Sequence, residues 1–259
     1  MAIVTNTFTR YSAIGIREDL SNVIYNISPE ETPFISNVGR ESVKNTYFEW
    51  QTDALAAASS SNAALEGDDI SSFTAVTPTS RVGNYTQIST KNVVISGTLE
   101  SVDKAGRRSE LTYQLAKLGA ELKRDMESAL LANQASVAGN TTTARRTAGL
   151  PAWLTSNTSK GTGGADPTVG STPTAARTDG TQRAFTEALL KTVVQSVWTS
   201  GGTPKMLMVG PFNKTAASAF TGIATRYRDV PAGQQAQIIG AADVYVSDFG
   251  TINIVPNRF

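Results

Sequence analysis

Between residues 106 and 134, Leu111, Leu115, Leu118, Leu122, Met126 and Leu130 recur at intervals of three or four. That spacing lines one side of a helix with apolar side chains. No proline interrupts the stretch. Ser109 stands at the N-cap position, with Glu110 beside it in the first turn. Lys117 with Glu121, and Lys123 with Glu127, lie four apart, the separation of paired charges on a helix flank. At 1.5 Å per residue the helix spans roughly 40 Å, well beyond the usual three turns. Its stripe is expected to face a single core, so the rest of the chain must supply a surface for one long, one-sided rod.

The segments before the rod read differently. Residues 1–40 look like an arm: Ile16, Leu20, Val23, Ile24 and Ile27 keep helical spacing until Pro29 stops it. So short a helix needs a partner surface. Residues 41–98 read as a β excursion. Phe48 and Trp50 alternate with Glu49 and Gln51 over residues 46–52, and Val82, Tyr85, Ile88, Val93, Val94 and Ile95 mark a second strand region over 81–97. Residues 55–80 between them are rich in Ala, Ser and Thr, carry Glu66, Asp68 and Asp69, and hold little that could form a core. Two antiparallel strands joined by a weakly packed tip are marginal alone, so something outside the ribbon must hold it.

After the rod, residues 139–182 are dominated by Thr, Gly, Ala and Ser around an apolar island of Leu150, Pro151, Trp153 and Leu154. They are expected to form a loop or hairpin with a mobile section at 160–180. Residues 183–259 read as an α/β unit. Phe185, Leu189, Leu190, Val193, Val197 and Trp198 give a helix ended by Gly201 and Gly202. Residues 206–209 form a buried strand, Pro211 opens a further helix, and residues 243–255 form a hairpin turning near Gly250.

Chemistry is limited by two absences. The 259 residues include no Cys and no His. That removes thiolate and imidazole nucleophile–base pairs and the commonest zinc ligands. Carboxylate-only chemistry remains open. A net charge of +1 gives no strong field toward nucleic acid or membrane. No run is long and apolar enough for a membrane span, and residues 1–10 show no signal-peptide core, so a cytoplasmic origin is expected. Gly161, Gly163 and Gly164 lack the Gly-Lys-Ser/Thr ending of a phosphate loop, and Asp248-Phe249-Gly250 stands without other kinase landmarks. Glu66, Asp68 and Asp69 lack calcium-loop spacing and read as a solvated tip or a contact for a basic neighbour. Arg107-Arg108 and Arg145-Arg146 are isolated basic pairs. Core packing is the expectation for Trp153 and Trp198, whereas Trp50, on the ribbon, is expected to pack on a neighbouring subunit.

The order of parts (arm, long β ribbon, one very long helix, compact α/β unit) resembles the Hong Kong 97-type shell subunit of tailed bacteriophages. Local sequence extends the resemblance to a phage major capsid protein family. It is carried by Phe8-Thr9-Arg10-Tyr11, Gly15-Ile16-Arg17-Glu18-Asp19-Leu20, Ile27-Ser28-Pro29, Thr32-Pro33-Phe34, Glu49-Trp50-Gln51-Thr52 and Asp243-Val244-Tyr245-Val246-Ser247-Asp248-Phe249-Gly250. The match runs over nearly the whole chain.

The resemblance implies an α+β fold with an N-terminal arm at 1–40, an E-loop ribbon at 41–98, a P-domain with its spine helix and following loop at 99–182, and an A-domain-like α/β unit at 183–259. The chain ends at Phe259, so it is expected to be short of the final P-domain strands. The implied function is self-assembly of pentamers and hexamers into an icosahedral head around double-stranded DNA, which is contacted non-specifically. Scaffold, portal and decoration proteins are the further partners, and no membrane, cofactor or metal is implied. The subunit is made in the bacterial cytoplasm and resides in the virion. Phe48, Trp50, Glu66, Asp68, Asp69, Arg107 and Arg108 are the candidate inter-subunit contacts, and no residue is assigned catalysis. Some members of the fold link subunits through an E-loop lysine; here no Lys lies between Lys44 and Lys91. The alternatives are an encapsulin-like compartment subunit of the same fold and, further off, a carboxylate-based hydrolase.

Overall fold

A computed structural model describes residues 31–67, 69, 73–220 and 242–259. The helix expected at 16–27, and Asp68 of the acidic tip, lie outside these. The architecture is mixed α+β. The chain divides into two compact units, one whose described part is Lys91–Glu121, the other built from Glu31–Thr90 and Leu122–Phe259.

In the first unit, α2 (Gly97–Ser101) precedes the start of α3 (Glu110–Leu131). The N–H groups of the first three helical residues, which have no partner within the helix, are all accounted for here. Glu100 Oε2 accepts from Glu110 N at 3.0 Å and Leu111 N at 3.4 Å, and Ser109 Oγ accepts from Thr112 N at 3.2 Å. Tyr113 N begins the regular ladder by donating to the Ser109 carbonyl at 3.3 Å. Ser109 is thus the cap its sequence position predicts. Lys104 closes α2 from the other end, its Nζ donating to the carbonyls of Leu99, Glu100 and Val102 at 2.8–2.9 Å.

The second unit begins with α1 (Pro33–Asn37) and a two-stranded antiparallel ribbon, β1 (Tyr47–Thr52) with β2 (Ser80–Tyr85), in the register Tyr47–Tyr85 to Thr52–Ser80. The second strand is shorter than its β-branched pattern predicts. Thr86 N still reaches Thr46 O at 2.9 Å, but β1 begins at Tyr47, so residues 87–96 have no strand opposite them. Residues 97–101 turn into α2 instead, a helix the strand pattern concealed.

The segment after α3 is not loose, contrary to its small-residue composition. Val137 pairs with Arg146 and Ala165 with Thr178. Ser136 N and Oγ both donate to the carbonyl of Pro173, itself fully buried, at 2.9 Å. Thr158 and Lys160 converge on Asp166. Small residues are needed because backbones touch: a Cβ on Gly161 would sit 2.0 Å from the Thr181 carbonyl oxygen, and one on Gly180 2.4 Å from that of Gly161. This segment is what grips the ribbon.

The α/β part contains α4 (Glu187–Thr199), β3 (Met206–Val209), α5 (Pro211–Ser218), β4 (Val244–Ser247) and β5 (Gly250–Pro256). The sheet order is β3-β5-β4, with β3 parallel and β4 antiparallel to β5. Leu190, Val194, Ala217, Phe220, Tyr245, Ile252 and Ile254 form its core. Thr186 Oγ1 caps α4 by accepting from Leu189 N, and Gly201, at φ +86°, ends it. Trp198 is not in the core: it is half-exposed and lies against Phe249, ring centroids 5.1 Å apart.

The stripe of α3 does not face one core. Leu111 is 47% and Leu115 55% exposed, and Met126 is also exposed. The residue buried completely is Glu127, at 0%. A helix turns about 100° per residue, so Glu127 looks out one step round from Met126. Its carboxylate accepts from Phe34 N at 2.7 Å, Ile35 N at 2.8 Å and Asn257 Nδ2 at 2.8 Å. The expected surface pair with Lys123 therefore gives way to an interior role. The Lys117–Glu121 pair is present at 3.9 Å.

Candidate assembly surfaces

The ribbon is clamped at its base. Gly83 N donates to Ser171 O at 2.7 Å, and the hydroxyls of Tyr47 and Thr172 lie 2.6 Å apart. Asn84, buried, donates to Thr147 Oγ1 at 3.1 Å and accepts from Ala148 N at 3.0 Å. Arg145 Nε donates to Thr86 O at 2.9 Å. Glycine is required at position 83, where a Cβ would meet the Tyr47 ring and the Phe48 carbonyl at 2.6–2.7 Å. The support that the ribbon needs thus comes in part from its own chain.

Beyond the clamp, apolar side chains are left to solvent. Phe48 is half-buried and stacks on Trp50, centroids 6.0 Å apart. Trp50 leans on Trp153 at 5.1 Å, an intrachain partner that the sequence pattern did not reveal, yet stays exposed overall. Arg81 pairs with Glu49 across the strands. Leu55 is 99%, Phe73 88% and Val76 92% exposed, and Glu66 and Asp69 are exposed between them. Large apolar groups at such exposure mark a surface that expects a partner.

The basic pair is split. Arg107 Nε donates to Glu110 Oε2, and its guanidinium sits over the Tyr113 ring at 5.5 Å. Arg108 is exposed. Gln114 Nε2 donates to Glu110 Oε1 at 2.7 Å. The Gln114 hydrogen bond first, and Arg107 second, hold the Glu110 carboxyl below the usual glutamate range. A carboxyl lowered in the folded state adds stability above its unfolded value, about 4.3, and loses it as pH falls through the lowered value. Acid unfolding of the wild-type protein should therefore steepen below about pH 4. Glu110→Gln should flatten that limb in a urea-midpoint series against pH; an unchanged slope would remove Glu110 from the account.

Among the described residues no helix is long and apolar enough to cross a membrane. A clamped ribbon carrying exposed apolar side chains, and a long helix with leucines in solvent, define a protein built to pack against other chains. The comparison with known proteins gives this class its family. The SU10 major capsid protein family model matches residues 3–259, and the chain belongs to that family. Membership puts it among the structural proteins of phage capsids. The major capsid protein of Escherichia phage Phieco32 is 43% identical over 128 residues, covering 49% of this chain. The matched stretch spans 36% of that relative's length.

Proposed function

We propose that this chain is the shell subunit of a tailed double-stranded DNA bacteriophage, assembling into pentamers and hexamers of an icosahedral head on a Hong Kong 97-type plan. Residues 1–40 serve as the arm, 41–98 as the E-loop, 99–182 as the P-domain and 183–259 as the A-domain. Packaged DNA is touched without sequence preference, in keeping with a net charge of +1. The observation that carries the reading is the family match over residues 3–259, joined to apolar ribbon residues a single chain leaves in water. Laid on a neighbour, such residues bury their faces, and folding and assembly share one free energy. Electron microscopy of the expressed full-length protein tests this: closed shells are expected, and a protein that stays monomeric at high concentration would argue against it.

The shell is held without covalent bonds from the ribbon, because no Lys lies between Lys44 and Lys91. Particles boiled in detergent should run as single chains. A ladder of linked oligomers would refute this and direct attention to Lys44, Lys91 or Lys104.

A further inference from the structure

We infer that Glu127 couples the root of the N-terminal segment to the α/β sheet, so that neither can shift without the other. A five-residue helix has little hold of its own, and α1 lacks the usual local cap: Thr32 stands at the N-cap position without a side-chain hydrogen bond. Glu127, more than ninety positions away in sequence, takes over that task by accepting from Phe34 N and Ile35 N. The same oxygen that receives Phe34 N, Oε1, also receives Asn257 Nδ2 at 2.8 Å.

Asn257 is in turn fixed by the sheet. Its backbone N donates to Val209 O at 2.9 Å, and its Nδ2 also lies 3.1 Å from Met208 Sδ, both on β3. Its Oδ1 accepts from Phe259 N at 2.8 Å. One buried oxygen thus serves two donors, one from the root of the N-terminal segment and one from the strand end. A fully buried carboxylate tolerates few vacancies. Removing the Asn257 donor leaves Oε1 short of a partner and frees the carboxylate to turn toward other donors or water. Its grip on Phe34 and Ile35 then weakens although nothing near them has changed. A local cap would behave otherwise, since loss of a donor on the far side would leave α1 as it was.

The coupling stands on the hydrogen bonds alone; its use in placing the arm during assembly rests on the function proposed above. Amide exchange in the unassembled full-length protein tests the coupling. Asn257→Ala, which touches neither amide, should speed exchange at Phe34 N and Ile35 N by about tenfold relative to amides of the α/β core. Unchanged protection at those two amides overturns the coupling. Should Asn257→Ala fail to fold, Asn257→Leu fills the space of the side chain while removing the same donor to Glu127. A rise of about tenfold at the same two amides is then expected, and no rise overturns the coupling equally. Particle yield of the variant that folds is scored separately. Faster exchange with reduced yield supports the use in assembly, and faster exchange with normal yield overturns that use while the coupling stands.

Discussion

Glu127→Ala should lower the unfolding free energy by about 3–5 kcal/mol, the largest loss expected of any single polar substitution in α3. The carboxylate is entirely buried and serves three donors: Phe34 N, Ile35 N and Asn257 Nδ2. Alanine takes the acceptor from both part-buried backbone amides and leaves Asn257 Nδ2 only the weak contact with Met208 Sδ. Each stranded donor costs about 1–3 kcal/mol, with some relief as the site relaxes. Glu121→Ala is the control. It removes the same group from the same helix, but only a 3.9 Å ion pair with Lys117 goes with it, and the expected change is under about 1 kcal/mol. Urea unfolding followed by circular dichroism gives both numbers. A Glu127→Ala loss below about 1 kcal/mol would mean that the three donors find other partners.

Replacing Leu111 and Leu115 together by Gln should leave the isolated subunit folded and raise the concentration needed for shells to form. Both leucines are about half exposed. Glutamine is nearly as good a helix former as leucine, so the monomer should lose only about 2 kcal/mol, the worth of the half of each side chain already buried. In the assembled state the remaining half of each side chain is expected to leave water. Full burial of a leucine contributes about 1.5–3 kcal/mol, which leaves about 1 kcal/mol per residue to be gained by assembly and about 2 kcal/mol for the pair. That corresponds to roughly a thirtyfold rise in the concentration at which shells appear. Light scattering against protein concentration measures it. An unchanged threshold would show that this part of the stripe stays in water in the particle, and a large loss of monomer stability would show that it packs within the chain.

The elements were legible where one local rule decides them. The long helix follows from leucine spacing and the Ser109 cap; the β4–β5 hairpin follows from alternation around Gly250; and α5 opens at Pro211 as that residue permits. Tertiary facts were not legible. Lys123 and Glu127 have the spacing of a surface pair, and nothing local says that the amides of residues 34 and 35 will arrive at Glu127. Composition misled at 139–182 because threonine and glycine look the same in a loose loop and in a close backbone crossing such as Gly161 against Thr181. The strand pattern at 86–96 was real in residue type but had no strand opposite it to complete a ladder. Of the contact candidates, the alternation of Phe48 and Trp50 was plain, whereas the Trp153 ring that receives Trp50 comes from a segment about a hundred positions away.

The base of the ribbon has a mechanical side. Three residue pairs, Trp50–Val82 to Thr52–Ser80, reach about 10 Å beyond a grip made by Gly83, Tyr47 and Asn84. A beam fixed at one end turns a sideways load at its tip into torque at the root. The Gly83–Ser171 bond and the crowded glycine beside it therefore carry the greatest stress when the far end is pushed. Lengthening the ribbon by one residue pair would raise that torque by about a third without altering a single contact at the clamp.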